Sequence, residues 1–171
     1  LYTIPEGKTS LPVGSTVKNT AGESIELTDA LKWKAADAEQ DKIVLKTVTA
    51  VASIGETTFA TVADAIAAAK DGETVTLLAD TTEDVVIDKN ITLDLGGKTL
   101  TNTSAGKATI SVTSGATATV KNGNVVGGTG YYNIQNNGTA TLEGVTATAG
   151  NNGSYMIDNW GTLTIESGTY T

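Results

Sequence analysis

A strand-forming phrase recurs at nearly fixed intervals through the second half of this chain. Asn90-Ile-Thr-Leu-Asp-Leu95, Gly115-Ala-Thr-Ala-Thr-Val120, Gly138-Thr-Ala-Thr-Leu142 and Gly161-Thr-Leu-Thr-Ile165 each open on Asn or Gly, alternate, and close on an aliphatic residue. The closing residues Leu95, Val120, Leu142 and Ile165 stand 25, 22 and 23 positions apart, and a glycine follows each within three residues. Such alternation puts every second side chain on one face of a strand. A shorter phrase precedes three of the four, at Val86-Ile87-Asp88, Asn133-Ile134-Gln135 and Met156-Ile157-Asp158. The copy at Thr109-Ile110-Ser111-Val112 reads as shifted by a residue or two.

A unit of this length with two or three short strands is about one coil of a parallel β-solenoid. One coil cannot bury its inward face, whereas stacked coils bury a continuous column of aliphatic side chains. The spacing therefore predicts Leu95, Val120, Leu142 and Ile165 in one inward column. It also makes Asp88 and Asp158 equivalent outward positions. Threonine suits the outward places because its branched side chain favours strands and its hydroxyl can be solvated. Glycine and asparagine suit the corners, where positive φ is needed, as at Asn136-Asn137-Gly138 and Asn151-Asn152-Gly153.

The fold class expected is all-β, with coils of about 22–25 residues, an N-terminal capping helix and a small β-rich N-terminal unit. The helix is read over residues 58–70. Phe59, Val62, Ile66 and Ala69 form one stripe, Thr61 with Asp64 is a partial capping pattern, and Gly72 follows the last turn. Residues 1–50 hold both prolines, Pro5 and Pro12, and two short alternations, Ser15-Thr16-Val17-Lys18 and Ser24-Ile25-Glu26-Leu27. These read as short strands between tight turns. Thr28 or Asp29 can cap a short helix carrying Leu31, Ala35 and Ala38, although Trp33 fits a strand equally well, and one longer strand runs over Ile43 to Ile54. The domain reading is 1–50 as a small β-rich anchoring unit and 51–171 as the solenoid.

Composition removes several chemistries. The chain has no cysteine, no histidine and no arginine, so all 11 basic residues are lysine. Thiol chemistry, the usual neutral-pH proton carrier and the bidentate phosphate clamp are absent with them. With a net charge of -8, nucleic acid is not an expected partner, because phosphate binding needs a basic footprint. No apolar run approaches the roughly 20 residues of a membrane span, so no membrane insertion is expected. No cofactor is expected either. Charge is also unevenly spread: residues 101–171 carry only Lys107, Lys121, Glu143, Asp158 and Glu166.

From Ala52 to Thr171 the chain resembles a right-handed parallel β-helix of the pectin-lyase-like class, and within it the repeat modules of bacterial surface proteins and phage fibre or decoration proteins. The residues carrying the resemblance run from Phe59-Ala-Thr-Val-Ala-Asp-Ala-Ile66 through Asp71-Gly-Glu-Thr-Val-Thr-Leu-Leu78 and Ile91-Thr-Leu-Asp-Leu-Gly-Gly-Lys-Thr-Leu100 to Gly161-Thr-Leu-Thr-Ile-Glu-Ser-Gly168. The resemblance implies an extracellular module on a virion or bacterial surface, joined by residues 1–50 to a capsid or cell-envelope protein. Surface glycans and a second copy of the chain are further candidate partners. A fold shared by lyases, hydrolases, adhesins and phage spikes decides no activity by itself. The chain stops just after a repeat, which leaves two readings: the solenoid continues beyond it, or another chain covers that end.

The residues give little support for an enzyme. The resemblance implies that a lyase would use a basic side chain, commonly arginine, with calcium held by carboxylates. Glycoside hydrolysis needs carboxylates on adjacent coils at set separations, and Asp88, Asp94, Glu143, Asp158 and Glu166 are scattered. Asp80, Glu83, Asp84 and Asp88 supply calcium-type oxygen ligands but lack the spacing of a calcium loop, so they read as a solvated loop. No catalytic or metal site is expected. The candidate ligand or partner contacts are Tyr131, Tyr132, Tyr155 and Trp160, aromatic residues near coil corners in the least charged region.

Overall fold

A computed structural model describes Thr16–Lys18, Ser24–Glu26 and residues 49–150 and 155–171. The chain divides into two units, Leu1–Thr49 and Ala50–Thr171. In the first, β1 (Thr16–Lys18) and β2 (Ser24–Glu26) pair antiparallel with Val17 opposite Ile25, strands the alternation predicts. The proline turns, the helix after Thr28 or Asp29 and the strand expected from Ile43 as far as Val48 lie outside the described residues. So does the corner at Asn151-Asn152-Gly153.

The second unit opens with an antiparallel hairpin, β3 (Ala52–Ile54) and β4 (Thr57–Phe59), followed by α1 (Val62–Ala68). The helix is shorter than the 58–70 expected. Thr57, Thr58 and Phe59 are strong strand formers, and pairing with β3 takes them out of the helical turn. Phe59 is still buried, but from a strand. Thr61 caps α1 as predicted, its Oγ1 accepting from the Asp64 N–H at 3.0 Å. The helix ends at Ala69 without a glycine, while Gly72 (φ 85) turns the chain into the first coil.

Both ends of α1 are held from one downstream stretch. The Glu83 carboxylate accepts the Val62 and Ala63 N–H groups at 3.0 and 3.2 Å, and Lys89 Nζ donates to the Ala67 and Ala69 carbonyls at 2.7 and 3.0 Å. Each charge meets the helix end of opposite partial charge. Val62, Ala65 and Ile66 are buried against the first strands. Ile66→Lys places a charge in that contact and uncovers the end of the stack. We expect the variant to aggregate, read by light scattering. Unchanged solubility and melting temperature would exclude a capping role for α1.

The coils follow. Leading strands β5 (Thr74–Leu77) and β6 (Thr81–Thr82) precede β7 (Val85–Ile87), β8 (Ile91–Asp94) and β9 (Thr99–Thr101). Next come β10 (Ile110–Val112) with β11 (Thr117–Val126), then β12 (Ile134–Asn136) with β13 (Thr139–Thr148). The last coil is β14 (Ile157–Asn159), β15 (Thr162–Ile165) and β16 (Gly168–Tyr170). Strands β7, β10, β12 and β14 stack as one parallel sheet. The first halves of β11 and β13 stack with β5, β8 and β15, and their second halves with β9 and β16. Each of these long strands turns a corner at a left-handed residue, Asn122 (φ 57) in β11 and Gly144 (φ 62) in β13. The fold is thus a parallel β-solenoid of about four turns, as the repeat predicts.

Register corrects two details. Val120, Leu142 and Ile165 do share an inward column, but it continues through Leu93 and Val75, not Leu95. Leu95 is also buried, on the corner that follows β8. Likewise Val85, Ile110, Ile134 and Ile157 stand in line, so the equivalent of Asp158 in the first coil is Val86, not Asp88. The trio Thr109-Ile110-Ser111 is therefore in register, and Val86-Ile87-Asp88 is the displaced copy. Corner lengths explain both: the turn from Val112 to Ala118 and the turn through Leu95-Gly96-Gly97 are each two residues longer than their counterparts. A slip of two leaves the inward and outward pattern unchanged.

Two asparagines sit fully buried in this aliphatic stack. Asn136 Nδ2 donates to Asn159 Oδ1 (2.7 Å) and to the Thr162 carbonyl (2.9 Å), while its Oδ1 accepts from Gly138 N–H (3.1 Å). Asn133 Nδ2 ties the carbonyls of Val125 and Thr148, one coil apart, at 2.9 and 2.7 Å. At the last coil the core is open: Ile165 is 48% exposed where Leu142, its neighbour in the column, is fully buried.

Candidate functional site

The outward row of the four-stranded sheet runs Val86, Ser111, Gln135, Asp158, one residue from each coil. Its neighbours come from the segments entering β12 and β14. Ile134 pairs with Ile157, so Tyr132 and Tyr155, each two residues upstream, occupy equivalent places on adjacent coils. Stacking coils roughly 4.8 Å apart brings their rings together. The centroids lie 6.3 Å apart with planes tilted by 31°. Tyr131 closes the group edge-on, 4.7 Å from Tyr132 at 60°. Three of the four aromatic residues singled out from sequence thus form one contiguous platform. Tyr155 is 74% exposed, and Tyr131 and Tyr132 are half-buried.

Trp160 stands outside this ring cluster. It follows β14 at the corner, its backbone N–H donates to the Asn136 carbonyl at 2.8 Å, and the side chain is 79% exposed.

Polar groups adjoin the platform. Gln135 Nε2 donates to Asp158 Oδ2 at 3.2 Å. The Tyr132 phenol is raised above its ordinary pKa, first by the Asp158 carboxylate, then by desolvation and by Tyr131 and Tyr155. The nearby negative charge disfavours a second one on the phenolate. Asp158→Asn should therefore lower the Tyr132 pKa toward the usual value of about 10, read by the ultraviolet absorbance of tyrosinate in an alkaline titration. No movement would place Asp158 too far from the phenol to matter.

Tyr131 also walls a shallow groove of about 170 Å³ shared with Asp84, Val86, Lys107, Ser111 and Gln135. Sequence reading missed this groove, because Asp84 and Lys107 reach it from turns whose course no alternation encodes. Asp84 Oδ1 accepts the Thr103 N–H at 2.9 Å, and its Oδ2 is buried without a partner.

Within the acidic stretch Asp80 and Asp88 are exposed, and three of its four carboxylates also hold backbone N–H groups. Asp80 accepts the Thr99 N–H at 2.8 Å, Asp84 that of Thr103, and Glu83 the two helix N–H groups of α1. These carboxylates satisfy backbone donors that no strand partner reaches. Among the described residues no three acidic side chains are grouped to hold a metal ion. Comparison with protein-family models, with curated proteins and with solved structures returns no match to this chain.

Proposed function

We propose that this chain is a non-enzymatic attachment module, displayed on a phage virion or a bacterial cell surface and held there through residues 1–50 by a capsid or envelope protein. The observation that carries the reading is the disposition of its carboxylates. Asp158 shares its row with Gln135, Ser111 and Val86, so no second acid stands on that row. Asp71, Asp80, Glu83 and Asp84 each accept backbone N–H groups, and Asp94 pairs with Lys121 at 3.7 Å. Acids engaged in this way are not poised as the separated pair that glycosidic cleavage requires, and in the line Asp94, Lys121, Glu143 a lysine stands between the two carboxylates. The outward faces offer instead rows of threonine, such as Thr74, Thr92, Thr119, Thr141 and Thr164. A neutral, evenly spaced surface of this kind suits display over turnover.

A second reading, a carbohydrate-binding or polysaccharide-degrading domain, has one observation in favour of its binding half: the tyrosine platform. Two measurements separate anchored display from polysaccharide degradation. Deleting residues 1–50 should abolish retention on the parent particle or cell while residues 51–171 keep the circular dichroism of the solenoid. Incubation with polysaccharides should release no reducing ends. Release that Asp158→Asn abolishes would establish an enzyme.

A further inference from the structure

We propose that the outer face of the four-stranded sheet binds a neutral glycan, one pyranose ring stacking on the tyrosine platform and its hydroxyls donating to the acceptors beside it. The proposal rests on the binding half of the second reading, names its ligand class, and does not depend on how residues 1–50 are anchored.

The platform's geometry selects the shape of the ligand. Tyr132 lies against Tyr131 at 4.7 Å and against Tyr155 at 6.3 Å, so nothing fits between the rings of either pair. A caged cation, which needs rings around it, is thereby disfavoured. The ring of Tyr155, 74% exposed and backed by Tyr132 at a tilt of 31°, is the open surface of the group, and it accepts a ligand with a flat apolar face of its own. Val86, 54% exposed on the same sheet, extends the apolar surface toward the groove. That groove is small beside the roughly 300–1,000 Å³ of enclosed ligand pockets. It suits one ring of a chain lying along the surface.

The polar groups select the chemistry. Asp158 receives one hydrogen bond from Gln135, and a carboxylate can accept several more. Ser111 and Gln135 add groups that both donate and accept. Acceptors dominate, so the matching ligand is rich in donors, as a polyol is. A proline-rich peptide offers flat rings too, but proline carries no N–H to donate. The sign of the charge then separates neutral from acidic sugars. Asp84 and Asp158 flank the site against Lys107, within a chain of net charge -8, which repels uronic, sialylated or phosphorylated glycans. A neutral pyranose satisfies all three constraints.

The test uses the full chain and four neutral hexasaccharides built on glucose, mannose and N-acetylglucosamine: maltohexaose, cellohexaose, mannohexaose and chitohexaose. Hexagalacturonate and a decaproline peptide serve as the competing classes. Binding is read by isothermal titration and by saturation-transfer NMR. At least one neutral hexasaccharide should bind saturably. Tyr155→Ala should weaken it about tenfold or more, as expected for losing an aromatic anchor. Tyr155→Phe should keep the affinity within about threefold, because the stacking face remains. Trp160→Ala should leave it unchanged. Tyr155 is largely exposed, so its variants are expected to melt with the parent, and matched melting curves establish that loss of binding is local. The proposal is overturned if none of the four neutral glycans binds, if Tyr155→Ala binds as well as the parent, or if hexagalacturonate or decaproline is the ligand these tyrosines hold. Deleting residues 1–50 tests the anchoring alone, since the platform lies wholly on residues beyond them.

Discussion

Leu142→Asp is expected to abolish the solenoid's cooperative unfolding transition near room temperature. Leu142 is fully buried in the column between Val120 and Ile165. A carboxylate there would face aliphatic neighbours with no donor in reach, a cost on the order of 4 kcal/mol or more. Domain stabilities of roughly 5–15 kcal/mol leave little after such a loss. Solenoid coils also depend on their neighbours, so the damage spreads to the coils on either side. Thr141→Asp, one residue away on the outward face, should change stability by no more than about 0.5 kcal/mol. Urea denaturation of the two variants gives the comparison. A larger loss for Thr141→Asp than for Leu142→Asp would mean that the inward and outward faces are exchanged, and equal losses would mean that Leu142 is not in the core.

Asn136→Ala should be the next most damaging change, at about 2 kcal/mol, because it empties a fully buried site and removes three hydrogen bonds. The side chain replaces an aliphatic residue in the line Ile87, Val112, Asn136, Asn159. Its removal strips Gly138 N–H, Asn159 Oδ1 and the Thr162 carbonyl of a bond each. Gly138 has no freedom to compensate, since a Cβ at that position would meet the carbonyl oxygens of Ala116 and Thr113. Asn136→Leu, which restores apolar bulk, should recover part of the loss, because Asn159 and Thr162 are exposed and their freed groups can turn to water. Thermal denaturation with amide exchange at Gly138 measures both effects. A loss below about 0.5 kcal/mol would show that water replaces the amide at no cost.

The coil stack was readable from sequence because alternation and a near-constant interval are local signals, and Val120, Leu142 and Ile165 carry both. Leu95 and Asp88 were misplaced because corners vary by two residues, the one displacement that alternation cannot register. The limits of α1 depended on whether Phe59 would pair with Ala52, a tertiary choice that overrides the helical stripe. Glu83 and Lys89 gave no sign of clamping that helix, because their partners lie about 20 residues upstream and are backbone atoms. The tyrosine platform was half visible. Tyr132 and Tyr155 are 23 residues apart, the interval of the coils themselves, so the repeat alone aligns them. That Tyr131 joins them and Trp160 does not follows from side-chain direction at the corners.

The two faces of the described coil stack are unlike, and this gives strand addition a direction. At the leading end, α1 lies over β7 and the three-residue strand β4 borders the large sheet, so the aligned edges of a full coil are not offered there. At the other end β14, β15 and β16 present such edges, with Ile165 half exposed among them. Parallel strands can be added in register on the β14–β16 face, whether by further coils or by another chain, while α1 and the short β4 block such addition at the leading end of the coils.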